Sequence, residues 1–371
     1  MKSKEIPNLP SSVFARRAAA LAGAILAVIS LSAADPAAFE QSKKEAGLLV
    51  YGNIAADNFG PAAAGFRKKY PWIKLEMLDT GPAVAFERYY AETSAGRRSA
   101  DAILAAAPSA WVRFAQKGEA LPYVAAEDEA LPKWSKPFPG VYTLSTDPLL
   151  LVYNKLLLPP ERRPKSITQL IQLAKKYPQD FDGRLTTYDA SRHPFAYAIH
   201  WTYVNRYGAE GWKKLAALGP LTRPEGAGSS MVEKLTTGEF TAIYFGSGLT
   251  FMKRILDAKG GDLLEWSLIG DGTPVMLRGM AITRKAKSPY SAQLFIDYLL
   301  SHEGQVALGR GGLTPYRSDV QKDEVPFLTY EQIRQQIGDE NIVIIGYDEQ
   351  MLADEEKFVA KWQALFPSVK R

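Results

Sequence analysis

From residue 47 onward the chain alternates short apolar runs with stretches in which apolar residues recur at helical spacing. Leu48-Leu49-Val50-Tyr51 is a continuous apolar run ending in Gly52-Asn53, the form of a strand buried on both faces. Residues 57–70 carry apolar positions at helical spacing, and Pro71 closes them. Residues 73–78 alternate and stop at Asp79-Thr80-Gly81-Pro82. A second amphipathic helix is predicted over 84–95, and a third strand over 100–104, before Ala107-Pro108-Ser109. Strand, helix, strand, helix, strand predicts a parallel sheet covered by helices. Ligands of such sheets collect beyond the carboxyl ends of the strands, which makes Asn53, Thr80, Gly81 and Ser109 candidate ligand residues.

Pro132, Pro137 and Pro139 mark a surface stretch, and residues 141–154 read as a long strand-rich segment. A second α/β series follows. Ser166 caps a helix. Residues 184–189 form a strand ending in Ala190-Ser191-Arg192-His193, and residues 241–245 form another, ending in Gly246-Ser247-Gly248 before a helix over 249–258. The last long strand is predicted over 275–283, Ser288-Pro289 opens a helix to residue 300, and further helices fill the C-terminal end. If both long strands cross between lobes, residues 35–147 plus 276–371 make lobe 1 and residues 148–275 make lobe 2. The cleft between them is then a ligand site that closes by hinge bending.

Composition agrees with two α/β lobes: 371 residues, 46% hydrophobic and 23% charged, are too many for one small core. The net charge of +5, from 45 basic and 40 acidic residues, is diffuse, as on a solvated surface, and excludes nucleic acid as the expected partner. The chain has no cysteine, which removes disulfides, thiolate catalysis and a lipoprotein anchor. Its three histidines have no metal-ligand spacing, so neither a metal nor a cofactor is expected. The N-terminus has Lys2, Lys4, Arg16 and Arg17, then an apolar stretch over 18–31 too short to span a bilayer, then Ser32-Ala33-Ala34. That order predicts a cleavable signal peptide over 1–34 and a periplasmic mature protein, with the Sec and twin-arginine routes both open.

Several stretches resemble a known family. Gly279-Met280-Ala281-Ile282-Thr283-Arg284-Lys285-Ala286-Lys287-Ser288-Pro289, residues 292–300, and Ser301 with Glu303-Gly304-Gln305 are similar to a stretch of the ABC-transporter extracellular solute-binding proteins. The similarity is to the branch that includes the ferric-iron, phosphonate and phosphoglycerate binders. Leu313-Thr314-Pro315-Tyr316-Arg317-Ser318-Asp319 resembles the motif that follows there. Val152-Tyr153-Asn154-Lys155 resembles the crossing strand, and Pro164-Lys165-Ser166 a helix start. Lys234-Leu235-Thr236-Thr237-Gly238-Glu239 matches the helix before the second-lobe strand. The resemblance implies the two-lobed (type II) periplasmic binding protein fold, each lobe a mostly parallel sheet flanked by helices. It also implies a monomer that delivers a small solute to an ABC permease in the inner membrane. Ferric-iron members carry adjacent tyrosines after the second-lobe strand, where this chain has Ser247-Gly248-Leu249. Tyr89-Tyr90 lies within a helix and reads as packing.

The remaining loop chemistry favours an anion. Ser191-Arg192 follows a strand and opens a helix, where backbone N–H groups attract negative charge and a guanidinium clamps phosphate or carboxylate. His193 beside it, the Gly246-Ser247-Gly248 turn, Arg278 on the returning strand and Tyr188 as a cleft wall complete the candidates. The expected cargo is therefore a phosphonate, a phosphorylated organic compound or a carboxylate, with a ferric ion as the alternative. A secreted hydrolase using the same cleft is the alternative of another class. G-x-S-x-G, P-loop and H-E-x-x-H patterns are missing, and Asp189, Ser191 and His193 crowd one turn too closely for a triad.

Overall fold

The computed structural model describes residues 36–192, 194–256 and 262–366. After α1 (Pro36–Ser42) the first series runs β1 (Leu48–Gly52), α2 (Ala56–Lys69), β2 (Leu75–Asp79), α3 (Val84–Ser94), β3 (Ala102–Ala105) and α4 (Pro108–Gln116). β1 lies between β2 and β3 and is parallel to both. The chain then enters β4 (Val141–Asn154), whose fourteen residues are all buried.

The second series holds α5 (Ile167–Lys176), α6 (Pro178–Phe181), β5 (Leu185–Thr186), α7 (Pro194–Leu218), α8 (Gly228–Thr236), β6 (Ala242–Ser247), α9 (Gly248–Leu256) and β7 (Leu264–Ser267). β8 (Thr273–Ile282) returns, followed by α10 (Pro289–Leu300), α11 (His302–Arg310), α12 (Tyr330–Ile337), β9 (Ile342–Ile345) and α13 (Gln350–Leu365). Ser166 caps α5 as its sequence predicts, its hydroxyl accepting from the Gln169 amide at 3.0 Å. Ser288 does not cap α10 with its side chain. The amides of Tyr290 and Ser291 donate instead to the Glu45 carboxylate, at 3.1 and 2.7 Å.

The sheet order is β2-β1-β3-β8-β4-β6-β5, with β7 on β4 and β9 on β8. Strands native to each series pair in parallel, as β1 does with β2 and β3, and β5 with β6. The two long strands pair antiparallel with each other and with β3 and β6. One carries the chain out of the first lobe and the other brings it back, so they must run in opposite directions. β4 spends its first half on β8 and its second half on β6 and β7, which explains why every position along it is buried.

Separate apolar cores lie on either side of this crossing. One lobe packs Val50, Phe59, Phe66, Phe295 and Tyr298 on one sheet face, and Phe86, Tyr89, Trp111 and Phe114 on the other. Tyr89 is thus a packing residue. The other lobe packs Leu150, Leu170, Phe181, Tyr203, Tyr244, Phe245 and Met252 together. Phe358, Trp362 and Phe366 join this second core. The C-terminal helix therefore packs with the middle series, whereas α10 and α11 pack with the first lobe.

The predicted strand 184–189 shortens to Leu185–Thr186, because Thr187 and Asp189 pair with Glu225 instead of with the sheet. Among the described residues Phe245, at φ 60°, is the one non-glycine residue with positive φ. No described helix is long and apolar enough to cross a membrane.

Candidate functional site

A cleft of about 800 Å³ opens between the two lobes. Asn53, Ala55, Asp57 and Asn58 line its first-lobe wall, and Gly228, Ser229, Thr250, Lys253 and Arg254 line the other. Each wall is built around the start of a helix. α2 begins after Ala55 and α8 after Ala227, and neither of these N-cap residues has a side chain that accepts from the helix amides. Both helix starts thus carry positive dipole ends toward the cleft without a built-in side-chain acceptor. A Cβ on Gly228 would lie 2.9 Å from the Tyr188 hydroxyl and 3.0 Å from Thr250 Cγ2, so only glycine lets α8 begin this close to them. Lys253 and Arg254 outnumber the single carboxylate, Asp57, by two charges to one. Lys253 Nζ donates to the Asp57 backbone carbonyl at 3.4 Å, a contact between the walls.

Asn53 is the sequence candidate that the cleft lining contains. Its Oδ1 accepts from the Ala106 amide at 3.0 Å and from Arg278 Nη1 at 2.6 Å, and its carbonyl accepts from the same nitrogen at 3.1 Å. Arg278 lies beneath it, 2% exposed. Burial lowers the Arg278 pKa, and the nearby Asp147 carboxylate pulls it back up.

The Gly246-Ser247-Gly248 turn already has an anion. Asp147, on β4, accepts from the Ser247 hydroxyl at 2.6 Å and from the Leu249 amide at 3.0 Å. The start of α9 is therefore capped by the protein's own carboxylate. Burial raises the Asp147 pKa, against the opposing pull of Arg278.

The Ser191-Arg192 turn is likewise closed on itself. The Ser191 amide and hydroxyl both donate to Asp189 Oδ1, at 2.9 and 2.6 Å, and Arg192 Nε donates to Asp189 Oδ2 at 3.1 Å. The Arg192 side chain is two-thirds exposed. His193 lies outside the described residues. Tyr188 is buried behind Gly228, and burial pushes its phenol well above the ordinary value. Thr80 is held by its amide to the Gly52 carbonyl at 2.8 Å, and Gly81 turns at φ 88°. Ser109 is fully buried in the first turn of α4, with no hydrogen-bond partner for its hydroxyl among the described residues. Thr80, Gly81 and Ser109 do not line the cleft described above.

Sequence reasoning missed the α8 start, Asn58, Asp57, Thr250, Lys253 and Arg254. The signal for α8 was present in Gly226-Ala227-Gly228-Ser229-Ser230, small residues opening a helical pattern over 231–235. Among the described residues no group of three or more His, Asp or Glu is placed to hold a metal ion.

Two α/β lobes joined by paired crossing strands, with a cleft of mixed polar and apolar lining between them, define a two-lobed solute receptor. Residues 53–306 match the family model described as bacterial extracellular solute-binding protein, and the chain belongs to that family. Comparison with curated proteins returns no match.

Among solved structures, the chain is similar to the substrate binding protein of an ABC transporter from Agrobacterium tumefaciens. Identity there is 20% and the TM-score 0.75, over 89% of this chain and 96% of that one. It is similar to iron-bound HitA from Pseudomonas aeruginosa at 18% identity and TM-score 0.67, over 84% and 99% of the two chains. It is also similar to the periplasmic binding protein AfuA from Actinobacillus pleuropneumoniae, with fructose-6-phosphate bound. That match has 18% identity and TM-score 0.67, over 86% and 98%. The shared fold is that of two-lobed periplasmic binding proteins, as the sequence resemblance implied.

Proposed function

We propose that this protein is the periplasmic substrate-binding component of an ABC importer and captures a small organic anion by lobe closure. The observation that carries this reading is the pair of helix starts without side-chain caps, α2 and α8, on opposite walls of one cleft that Lys253 and Arg254 also line. Helix N-termini and cations together favour negative charge. Asn53, Asn58, Ser229 and Thr250 add amide and hydroxyl groups suited to a hydroxylated or phosphorylated body. A phosphorylated organic compound, a phosphonate or a carboxylate meets this chemistry. A ferric ion meets it poorly, because hard anionic oxygens are needed and the lining offers two cations against one carboxylate.

The moving bodies would be the two lobes, approximately residues 35–147 with 276–371 and residues 148–275, except that α12, β9 and α13 would travel with the second lobe, in whose core Ile333, Ile345, Phe358 and Trp362 pack. Export by a signal peptide over 1–34, a monomeric mature chain and docking on a cognate permease complete the reading.

A thermal-shift panel on the mature protein tests it, with phosphate esters, phosphonates, carboxylates and ferric citrate. A ligand at a hundred times its Kd adds about 2.7 kcal/mol of stability, and a stabilising organic anion is expected. A shift with ferric citrate alone, absent with citrate, would put iron in the anion's place. Turnover of the stabilising compound would make the protein a hydrolase.

A further inference from the structure

The crossing strands carry two buried, oppositely charged residues on one face. Ser145 pairs with Arg278 and Asp147 with Met276, so Asp147 and Arg278 are diagonal neighbours across β4 and β8. They are 3% and 2% exposed. Each feels the other's charge, but they make no ion-pair contact, and each spends its hydrogen bonds on a different lobe. Arg278 holds Asn53, at the carboxyl end of β1 in the first lobe, through two bonds of 2.6 and 3.1 Å. Asp147 holds the turn between β6 and α9 in the second lobe through bonds of 2.6 and 3.0 Å.

Both gripped segments belong to the cleft. Asn53 lines the first wall, and α9 carries Thr250, Lys253 and Arg254 on the second. α9 is also where the second lobe meets the first, with Leu249 packed against the first-lobe core and Lys253 reaching the Asp57 carbonyl. Phe245, just before the gripped turn, holds its positive φ in a fully buried site, a local strain that persists only where the surroundings over-determine it.

We infer that Asp147 and Arg278 are a hinge clamp, two positioning residues that hold one cleft wall each and thereby set the resting angle between the lobes. This rests on the reading of the cleft as a closing ligand site. A buried charge grips hard because releasing its hydrogen bonds leaves it uncompensated. The mutual attraction of the two charges then ties the wall on one lobe to the wall on the other.

The test uses the ligand-free mature protein, so it does not depend on what the cleft binds. Val124 and Leu156 are 76% and 74% exposed, and the chain has no cysteine. Spin labels on a Val124→Cys/Leu156→Cys protein therefore report one distance between the lobes. Asp147→Asn and Arg278→Gln are each expected to shift the mean by several ångströms or to about double the width of the distribution. Ser247→Ala and Asn53→Ala remove a gripped group and leave both charges in place, and should do the same if a buried-charge variant fails to fold. Folded variants whose distributions all superimpose on that of the parent would overturn the clamp and leave the pair a structural one. Failure of the anion panel with displaced distances would remove the ligand reading and keep the clamp.

Discussion

His200, on α7, is fully buried behind the second-lobe cleft wall. Its Nε2 lies 3.1 Å from the Tyr188 carbonyl and 3.4 Å from the Thr187 hydroxyl. The carbonyl can only accept, which places the neutral ring's proton on Nε2. Nδ1 has no partner among the described residues, and the ring sits among Phe245, Trp362 and Phe366, with centroids 5.6, 5.5 and 6.3 Å away. A second proton would enter this apolar pocket uncompensated, and burial brings the pKa down from 6.5 to about 4. The unfolded chain binds the proton below pH 6.5 and the folded chain does not until about pH 4. The stability this histidine preserves at neutral pH is therefore lost progressively as pH falls from 6.5 to about 4, and the loss levels off below. At about 1.4 kcal/mol per pKa unit the loss is roughly 3 kcal/mol. Urea unfolding of the mature protein and of His200→Gln between about pH 7 and pH 4 measures it. The parent should lose roughly 3 kcal/mol more than the variant across that window. Parallel pH profiles would refute the assignment of a neutral, buried ring. The carbonyl that His200 holds belongs to Tyr188, so acid should loosen the wall behind Gly228 first.

Lys253→Ala should weaken binding of the stabilising anion by about tenfold, or ~1.4 kcal/mol, with little change in the unfolding midpoint; titration calorimetry reads the first and thermal unfolding the second. Ser166→Ala removes the cap of α5 and should cost about 1 kcal/mol in urea unfolding with ligand affinity unchanged. Gly279→Ala drives a methyl into the Trp111 indole beneath β8 and should destabilise by roughly 1–3 kcal/mol; a neutral result would mean that the ring moves freely aside.

β1 to β3 with α2 and α3, and both crossing strands, were legible because each is a strongly patterned run with a clear stop; α1 and α4 were not read. β4 was legible as a strand-rich segment, although Thr143, Ser145, Thr146 and Asp147 are polar in sequence and buried in the fold. β9 was not. Ile342-Val343-Ile344-Ile345 is an apolar run bounded by Asn341 and Gly346, a strand signal, but it adds to β8 in parallel from a distant part of the chain. Its pairing was therefore not written locally.

The candidate site divides in the same way. Asn53 was found because the carboxyl end of a parallel strand is a topological position that sequence order reveals. The Gly246-Ser247-Gly248 turn looked like an anion site for a sound reason, since its hydroxyl and the following amide do donate to a carboxylate. Its anion is Asp147, about a hundred residues earlier in sequence. A turn's vacancy depends on what tertiary structure brings to it, which local pattern does not carry. Lys253 and Arg254 fall inside the helix predicted over 249–258, where nothing local marks them; the fold brings them to the cleft.

The proposed cargo is an organic anion held between the starts of α2 and α8. A crystal structure of the mature protein with the stabilising compound tests it most directly. The anionic group is expected within hydrogen-bond reach of the α8 amides and of Lys253 or Arg254, with Asn53 or Asn58 on the opposite side. An anion seated instead on the Ser191-Arg192 turn, or a metal ion in the cleft, would contradict it.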